Sequence, residues 1–298
     1  MIRLAVRVAR ERAELVLAEL LELAPAGVEE VQAGPRMVEY AVYGPPGELP
    51  RLPALQAAAG AALVEVSTTE IPDDWQERWK SFHRPVLIEG PARSAGGPPV
   101  ASLHVRPPWE APWQVPDAGP SEVREVVIDP GQAFGTGAHA TTRLCLELLL
   151  ELAGERGARG PLLDVGTGSG VIAIAAAGLG FAPVLAIDNE PESVEAARIN
   201  ALANGASIEV RRLDLRAEAV PWTAGEDDPE GAVLVANLLR PLLLELAAAL
   251  PRPPAHLIAG GLLTDEADEI AAAFRTRLGL SERERRTSGE WGALWLEG

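Results

Sequence analysis

Three glycines at alternate positions follow an apolar run and an aspartate in Leu162-Leu163-Asp164-Val165-Gly166-Thr167-Gly168-Ser169-Gly170. This pattern predicts a buried strand that turns sharply into a helix, because a residue without a Cβ reaches positive φ at little cost. Such a turn lets backbone N–H groups at the helix N-terminus come close to a ligand. A dinucleotide-binding turn, Gly-x-Gly-x-x-Gly, sets its third glycine one residue later, where it helps to hold a pyrophosphate. Here the third glycine comes early, and Asp164 precedes the first. A carboxylate at that point repels a pyrophosphate and suits a cationic amine, such as the α-amino group of a methionine moiety. The spacing points to a nucleoside cofactor of that kind.

The surrounding rhythm supplies the frame. From residue 140 a helix leads into strands alternating with helices, with strands expected near 162–165, 183–188, 207–212, 231–236 and 255–260. That alternation predicts a mostly parallel sheet covered on both faces. Residues 280–287 and 291–297 have no helix between them and read as a closing antiparallel pair turned at Ser288-Gly289. Ligands of open α/β sheets bind beyond the carboxyl ends of strands, and the motif residues all follow predicted strands. Upstream, residues 2–8, 28–32, 36–43 and 62–71 read as strands, with helices over 11–23 and 52–60 and a turn at Gly34-Pro35. The order βαββαβ predicts a small ferredoxin-like domain, which by itself names no activity. Residues 73–82 begin with acids and place Trp75, Trp79 and Phe82 on one helical face, as a connecting helix would. Strands follow at 85–89 and 100–106 around a Gly- and Pro-rich hairpin loop at 90–99. Trp109 and Trp113 then mark either packing, the commoner reason for such residues, or a substrate groove.

Charge limits the partners. With 26 Lys plus Arg against 43 Asp plus Glu the chain carries −17, the wrong sign for affinity built on phosphate neutralisation. A basic protein partner fits better, although solubility alone accounts equally well for the excess. The lone Cys145 excludes an internal disulfide framework and a cysteine zinc cluster, so no metal is expected. No apolar run has membrane-spanning length, and the charges in Met1–Arg7 do not match a secretion signal. A cytoplasmic monomer is the expectation.

Several residues are candidates for chemistry. Asp188 ends the second predicted strand, where a carboxylate can accept both ribose hydroxyls; capping the next helix is the competing role. Glu190 is the weaker second acid. Asn237 follows the expected strand Gly231–Ala236 with an amide that offers a donor and an acceptor, for a substrate amine, for the methionine end of the cofactor, or as a helix cap. Asp214, past the third strand, stands where such folds contact an adenine amino group, and is equally a solvated loop acid. The segment Asp129–Thr142 joins loop glycines, hydroxyls, Phe134 and His139 before a helix, a composition suited to covering a bound cofactor.

Asp129-Pro130-Gly131, Phe134-Gly135-Thr136-Gly137, His139, Thr141-Thr142, the glycine motif, Ala236-Asn237-Leu238, Gly260-Gly261-Leu262 and Gly289-Glu290-Trp291 together carry a resemblance. The chain resembles the bacterial methyltransferases of ribosomal large-subunit protein eleven, within the class I S-adenosylmethionine-dependent enzymes. The Asp74-Trp75 to Trp79-Lys80 helix also matches, whereas the N-terminal region agrees in length and layout more than in motif. Ala140, Asn189-Glu190 and Gly260 depart from the family pattern without removing a principal ligand.

The resemblance implies an α/β fold: a seven-stranded Rossmann-like methyltransferase sheet with a smaller N-terminal ferredoxin-like α+β domain and a helical linker. The expected division is 1–70 for substrate recognition, 71–85 for the linker and 86–298 for catalysis. The resemblance also implies that S-adenosyl-L-methionine contacts Thr142, Gly166, Asp188 and Asn237, with Phe134, Gly135, Thr136 and His139 lining the site. Asp164, Gly168 and Gly170 complete the expected cradle, and Asp214 is its weakest member. The implied substrate is the basic ribosomal protein, methylated repeatedly at lysine ε-amines and at its N-terminal α-amine, without direct contact to nucleic acid or membrane.

Only a neutral amine can attack the methyl group, yet lysine's ordinary pKa is about 10.4, so the site must desolvate the amine or work on a small neutral fraction. His139 is the best candidate base by residue type, with a structural role of equal weight; Asn237 is better suited to orienting the amine. The competing functions are methylation of another protein lysine or of a small-molecule amine, and a module that binds the cofactor without transferring anything. Base methylation is disfavoured because Asn237-Leu238-Leu239-Arg240 stands in place of an Asn-Pro-Pro-aromatic signature.

Overall fold

A computed structural model describes residues 2–13, 16–17, 20, 23–24, 28–32, 34, 36–44, 49–70, 83–91, 101–114, 122–131, 135, 137–221 and 231–298. The chain forms two compact units, Met1–Phe82 and His83–Gly298.

In the first unit, β1 (Ile2–Ala9), β2 (Glu29–Gln32), β3 (Met37–Gly44) and β4 (Leu63–Glu70) form an antiparallel sheet in the order β2-β3-β1-β4. Period-two alternation sends Leu4, Val6, Val8, Val38, Tyr40 and Val42 into one core with Val16, Leu20 and Leu55. Val16, Leu20 and their described neighbours are helical, and Leu55 lies on α1 (Leu52–Ala59). The residues between these core positions carry a polar ladder across the strands: Arg3 donates to Glu39, and Arg7 donates to both Glu39 and Glu65. This is the expected βαββαβ layout.

The second unit is built on a seven-stranded sheet of β8 (Leu162–Val165), β9 (Val184–Asp188), β10 (Glu209–Arg212), β11 (Val233–Asn237), β12 (His256–Leu263), β13 (Ser281–Ser288) and β14 (Trp291–Glu297). Their order in the sheet is β10-β9-β8-β11-β12-β14-β13. The neighbours from β10 to β12 pair in parallel, while β14 runs antiparallel to both β12 and β13. Parallel strands buried on both faces need nearly continuous apolar sequence, and Val-Leu-Val-Ala in β11 meets that need. One face packs on α2 (Ala140–Arg156), α3 (Val171–Leu179) and α4 (Pro191–Ala203) through Leu146, Leu149, Ile174 and Ala197. The other packs on α5 (Arg240–Ala249) and α6 (Ala267–Leu278) through Leu243, Leu246, Ile270 and Phe274.

A three-stranded sheet of β5 (Val86–Ile88), β6 (Ser102–Arg106) and β7 (Val123–Val127) completes the described structure. The sequence reading had no strand at β7. Its five residues include Arg124 and Glu125, and it pairs in parallel with β6, so no short turn advertises it. Trp109 and Trp113 pack their rings against His83 and His104 respectively. Trp75, Trp79 and Phe82, and residues 92–99 of the hairpin loop expected at 90–99, lie outside the described residues. Among those described, no helix is long and apolar enough to cross a membrane, and no group of His, Cys, Asp and Glu could hold a metal ion.

Candidate active site

The carboxyl ends of β8, β9 and β11 converge on the glycine turn. Gly166, Gly168 and Gly170 all have positive φ, at 72°, 53° and 85°, and Gly170 starts α3 as its N-cap. At Gly166 the positive φ is what demands glycine; an added Cβ would stand 2.3 Å from Leu238 Cδ2, the end of a flexible side chain that would have to move aside. The turn is tied to its neighbour strand, because the backbone N–H groups of Gly166 and Thr167 both donate to Ile187 O.

Asp164 lies beneath this turn, fully buried. Its Oδ2 accepts from Thr167 Oγ1 at 2.7 Å and from Ala173 N at 3.2 Å, while its Oδ1 has no partner among the described residues. Burial first, and then the nearby charge of Asp188, raises the Asp164 carboxyl from 3.8 to about 7. In the unfolded chain it titrates near 3.9. Between these values the folded protein keeps a proton that the unfolded chain has lost, so this contribution to stability is present at low pH and is lost as pH rises towards 7. From pH 5 to pH 8 the chain without cofactor should lose about 2 kcal/mol relative to Asp164→Asn. Urea unfolding of both proteins at each pH measures the difference, and parallel curves would contradict it.

Asp188 ends β9 with two backbone donors on its carboxylate. Gly168 N donates to Oδ2 at 2.9 Å and Glu190 N to Oδ1 at 3.1 Å. It does not cap α4, whose N-cap is Glu190. Asp188 thus shapes the glycine turn and, with lone pairs remaining on both oxygens, can still accept from a diol.

Asn237 and Thr142 come together across a long stretch of sequence. Asn237 Nδ2 donates to Thr142 Oγ1 at 3.2 Å, and Asn237 Oδ1 is buried without a partner among the described residues. Asn237 follows Ala236, which pairs in register with Val165, so its amide stands next to the start of the glycine turn. The N-cap of α5 is Leu239, which removes the capping role considered for Asn237. Its register partner Gly260 has no room for a side chain, since an added Cβ would meet Cys145 Sγ at 2.4 Å and Asn237 Oδ1 at 3.3 Å.

His139 is the N-cap of α2, with Nδ1 2.8 Å from Thr141 Oγ1 and 3.4 Å from Thr141 N, and its ring lies edge-on to Trp291. Half-burial holds its pKa below the ordinary value. Gly135 is buried and joined to the glycine turn, its carbonyl accepting from Ser169 Oγ. Phe134 and Thr136 lie outside the described residues. Asp214 accepts from Arg216 N at 2.9 Å within a turn past β10, the geometry of a loop acid.

Sequence reasoning missed Asn200, Asn204 and Ser169, whose side chains bond to backbone around the site. Their signal was weak. Two asparagines one helical turn apart carry no motif, and Ser169 was visible only as the variable residue between two glycines.

Residues 54–297 match the family model described as ribosomal protein L11 methyltransferase (PrmA). A relative of that name from Heliobacterium modesticaldum is 38% identical over 228 residues, covering 74% of this chain and 63% of its own length. Another, from Syntrophotalea carbinolica, is 33% identical over 308 residues, covering 94% and 92%. The match thus spans under two thirds of the Heliobacterium protein and nearly all of the Syntrophotalea one. Among solved structures, the ribosomal protein L11 methylase of Lactobacillus delbrueckii subsp. bulgaricus aligns with a TM-score of 0.52 at 32% identity, over 65% of this chain and 94% of its own. The strand order, the positive-φ glycine turn and these matches agree: the chain belongs to the ribosomal protein L11 methyltransferase (PrmA) family.

Proposed function

We propose that the chain transfers methyl groups from S-adenosyl-L-methionine to amines of ribosomal protein L11, at lysine ε-nitrogens and at the N-terminal α-nitrogen. The observation that carries this reading is the Thr142–Asn237 pair, with its buried, unpartnered amide oxygen beside the glycine turn.

The donor set fits the cofactor. S-adenosylmethionine offers an ammonium group, two ribose hydroxyls and an adenine amino group, all donors, and the site presents acceptors at Asp164 Oδ1, Asp188 and Asn237 Oδ1. Asp188 would take the ribose, Asp164 and the glycine turn the methionine end, and the Asn237–Thr142 pair the edge nearest the acceptor amine. Gly135 belongs to the covering loop, as Phe134 and Thr136 would, and Asp214 is left as a minor contact at the adenine end. When bound, the cofactor supplies a sulfonium-activated methyl group for in-line displacement.

The protein's work is then to orient and desolvate. At pH 7 only about one lysine in 2,500 is neutral, given a pKa of about 10.4. Asn237 Oδ1 can accept an amine N–H and hold the nitrogen lone pair towards the methyl group, and such positioning supplies much of the acceleration in a two-reactant transfer. The amine proton passes to water. His139 shapes the start of α2 and need not act as a base.

The N-terminal unit is the natural capture domain for the protein substrate, with residues 71–85 as its linker to a catalytic part from 86 onward. The net charge of −17 suits a basic partner rather than nucleic acid. The chain acts as a monomer in the cytoplasm, where ribosomal proteins are made. Incubating it with S-adenosylmethionine and unmodified L11 should add about 14 Da per methyl group to L11. Cofactor binding without any added mass would leave only a binding module.

A further inference from the structure

The helix α4, which follows the Asp188 strand, presents two asparagines one turn apart to a neighbouring backbone. Asn204 Oδ1 accepts from Val127 N at 2.8 Å, and its Nδ2 donates to Val127 O at 2.7 Å. One turn earlier, Asn200 Oδ1 accepts from Asp129 N at 3.0 Å, and its Nδ2 donates to Ser169 O at 2.9 Å. The spacing explains the match. Four helical residues rise about 6 Å, close to the roughly 6.7 Å between alternate residues of an extended chain. Residues 127 and 129 continue the free side of β7, an edge of the three-stranded sheet, so the two amides act as a neighbouring strand would.

Asn200 does more than fasten an edge. It is 2% exposed and uses both ends of its amide, one on the residue that opens the Asp129–Thr142 segment and the other on the glycine turn. Ser169, also fully buried, adds a second tie by donating its hydroxyl to the Gly135 carbonyl within the same segment. Gly135 is held close: its φ is +98°, and an added Cβ would stand 3.3 Å from Ser169 Oγ. The two ties join the glycine turn to the covering segment at two points along its length.

We infer that Asn200, with Ser169, is a positioning residue that sets Asp129 and Gly135, two points of the 129–142 segment, against the glycine turn, so that cofactor binding and the placement of these two residues are coupled. It touches no reacting atom. This rests on the glycine turn being the cofactor cradle, and the test separates the two ideas. Hydrogen exchange of the free protein reports on the segment alone, whereas titration with S-adenosylhomocysteine reports on the cradle.

In Asn200→Ala without cofactor, backbone exchange at Asp129 and Gly135 should speed up about tenfold or more, and the Kd for S-adenosylhomocysteine should rise about tenfold. Ser169→Ala, a smaller change that keeps the fold if Asn200→Ala does not, should show the same two effects with faster exchange concentrated at Gly135. Asn204→Ala removes only the bonds to Val127 and its own helix end, so it should lower thermal stability while leaving the Kd within about twofold. Asn200→Gln, which keeps the amide on a longer arm, should recover part of the affinity. The inference is overturned if Asn200→Ala and Ser169→Ala leave both exchange at Asp129 and Gly135 and ligand affinity unchanged in the folded protein. If the unmodified chain fails to bind S-adenosylhomocysteine, the cradle assignment falls, and unchanged or faster exchange in the variants still decides whether Asn200 and Ser169 hold Asp129 and Gly135 in place.

Discussion

Asn237→Ala is expected to lower kcat for methyl transfer about 10²-fold or more, with a change in KM for the cofactor of less than about tenfold. The side chain is small and partly buried, and its removal leaves only Thr142 Oγ1 without its donor, so the fold should hold. What disappears is the buried, unpartnered Oδ1, the group proposed to orient an amine lone pair. Steady-state kinetics with L11 measures the effect. Equal losses in kcat and in cofactor affinity would assign Asn237 to cofactor binding instead, and wild-type turnover would remove it from the site.

Asp188→Ala should act in the opposite way, weakening cofactor binding by about 3 kcal/mol, or about 10²-fold in Kd, through lost hydrogen bonds to a charged acceptor. It should also destabilise the chain by about 1–2 kcal/mol, because Gly168 N and Glu190 N each lose an acceptor. The two effects separate in Asp188→Asn, whose remaining carbonyl oxygen can serve one of the two backbone donors. Calorimetric titration with S-adenosylhomocysteine gives the Kd, and denaturant unfolding gives the stability. An Asp188→Ala protein that binds as tightly as the unmodified chain would refute the ribose assignment.

The glycine turn, the strand rhythm and the closing antiparallel pair were legible because each follows from a local requirement. Positive φ at Gly166, Gly168 and Gly170 needs glycine, and a doubly buried strand needs an apolar run such as Leu-Leu-Asp-Val or Val-Leu-Val-Ala. The pairing of Thr142 with Asn237 was not readable in this way. It depends on the packing of α2 against β11 and β12, and nothing within either segment encodes the partner. The family resemblance carried that part. For His139 the sequence leaves base and structural roles equal; its contact with Thr141 and its N-cap position give it a structural part at the start of α2. For Asp188 the sequence leaves a ribose acceptor and a helix cap open; Glu190 holds the cap position, and the Asp188 carboxylate braces the glycine turn while keeping lone pairs for a ligand. Side-chain-to-backbone ties such as Asn200 to Asp129 and Ser169 stay hidden for a general reason: asparagine satisfies backbone groups wherever the fold brings them, and leaves no periodic trace.

The fold links these sites in one order. Apolar strands fix β8, β9 and β11 side by side, the glycine turn closes over Asp164, and α4 carries Asn200 back from the Asp188 strand to the covering segment. Each acceptor is thereby presented at a strand end, where an open α/β sheet leaves a crevice.

The central claim is transfer of methyl groups to amines of L11, and intact-mass spectrometry of L11 tests it most directly. Unmodified L11 is incubated with S-adenosylmethionine and either the wild-type chain or the Asn237→Ala variant, and the L11 mass is followed over time. The account predicts successive increments of about 14 Da with the wild-type chain and about 10²-fold slower accumulation with the variant. An L11 mass that stays unchanged with a wild-type chain shown to bind S-adenosylhomocysteine would contradict it.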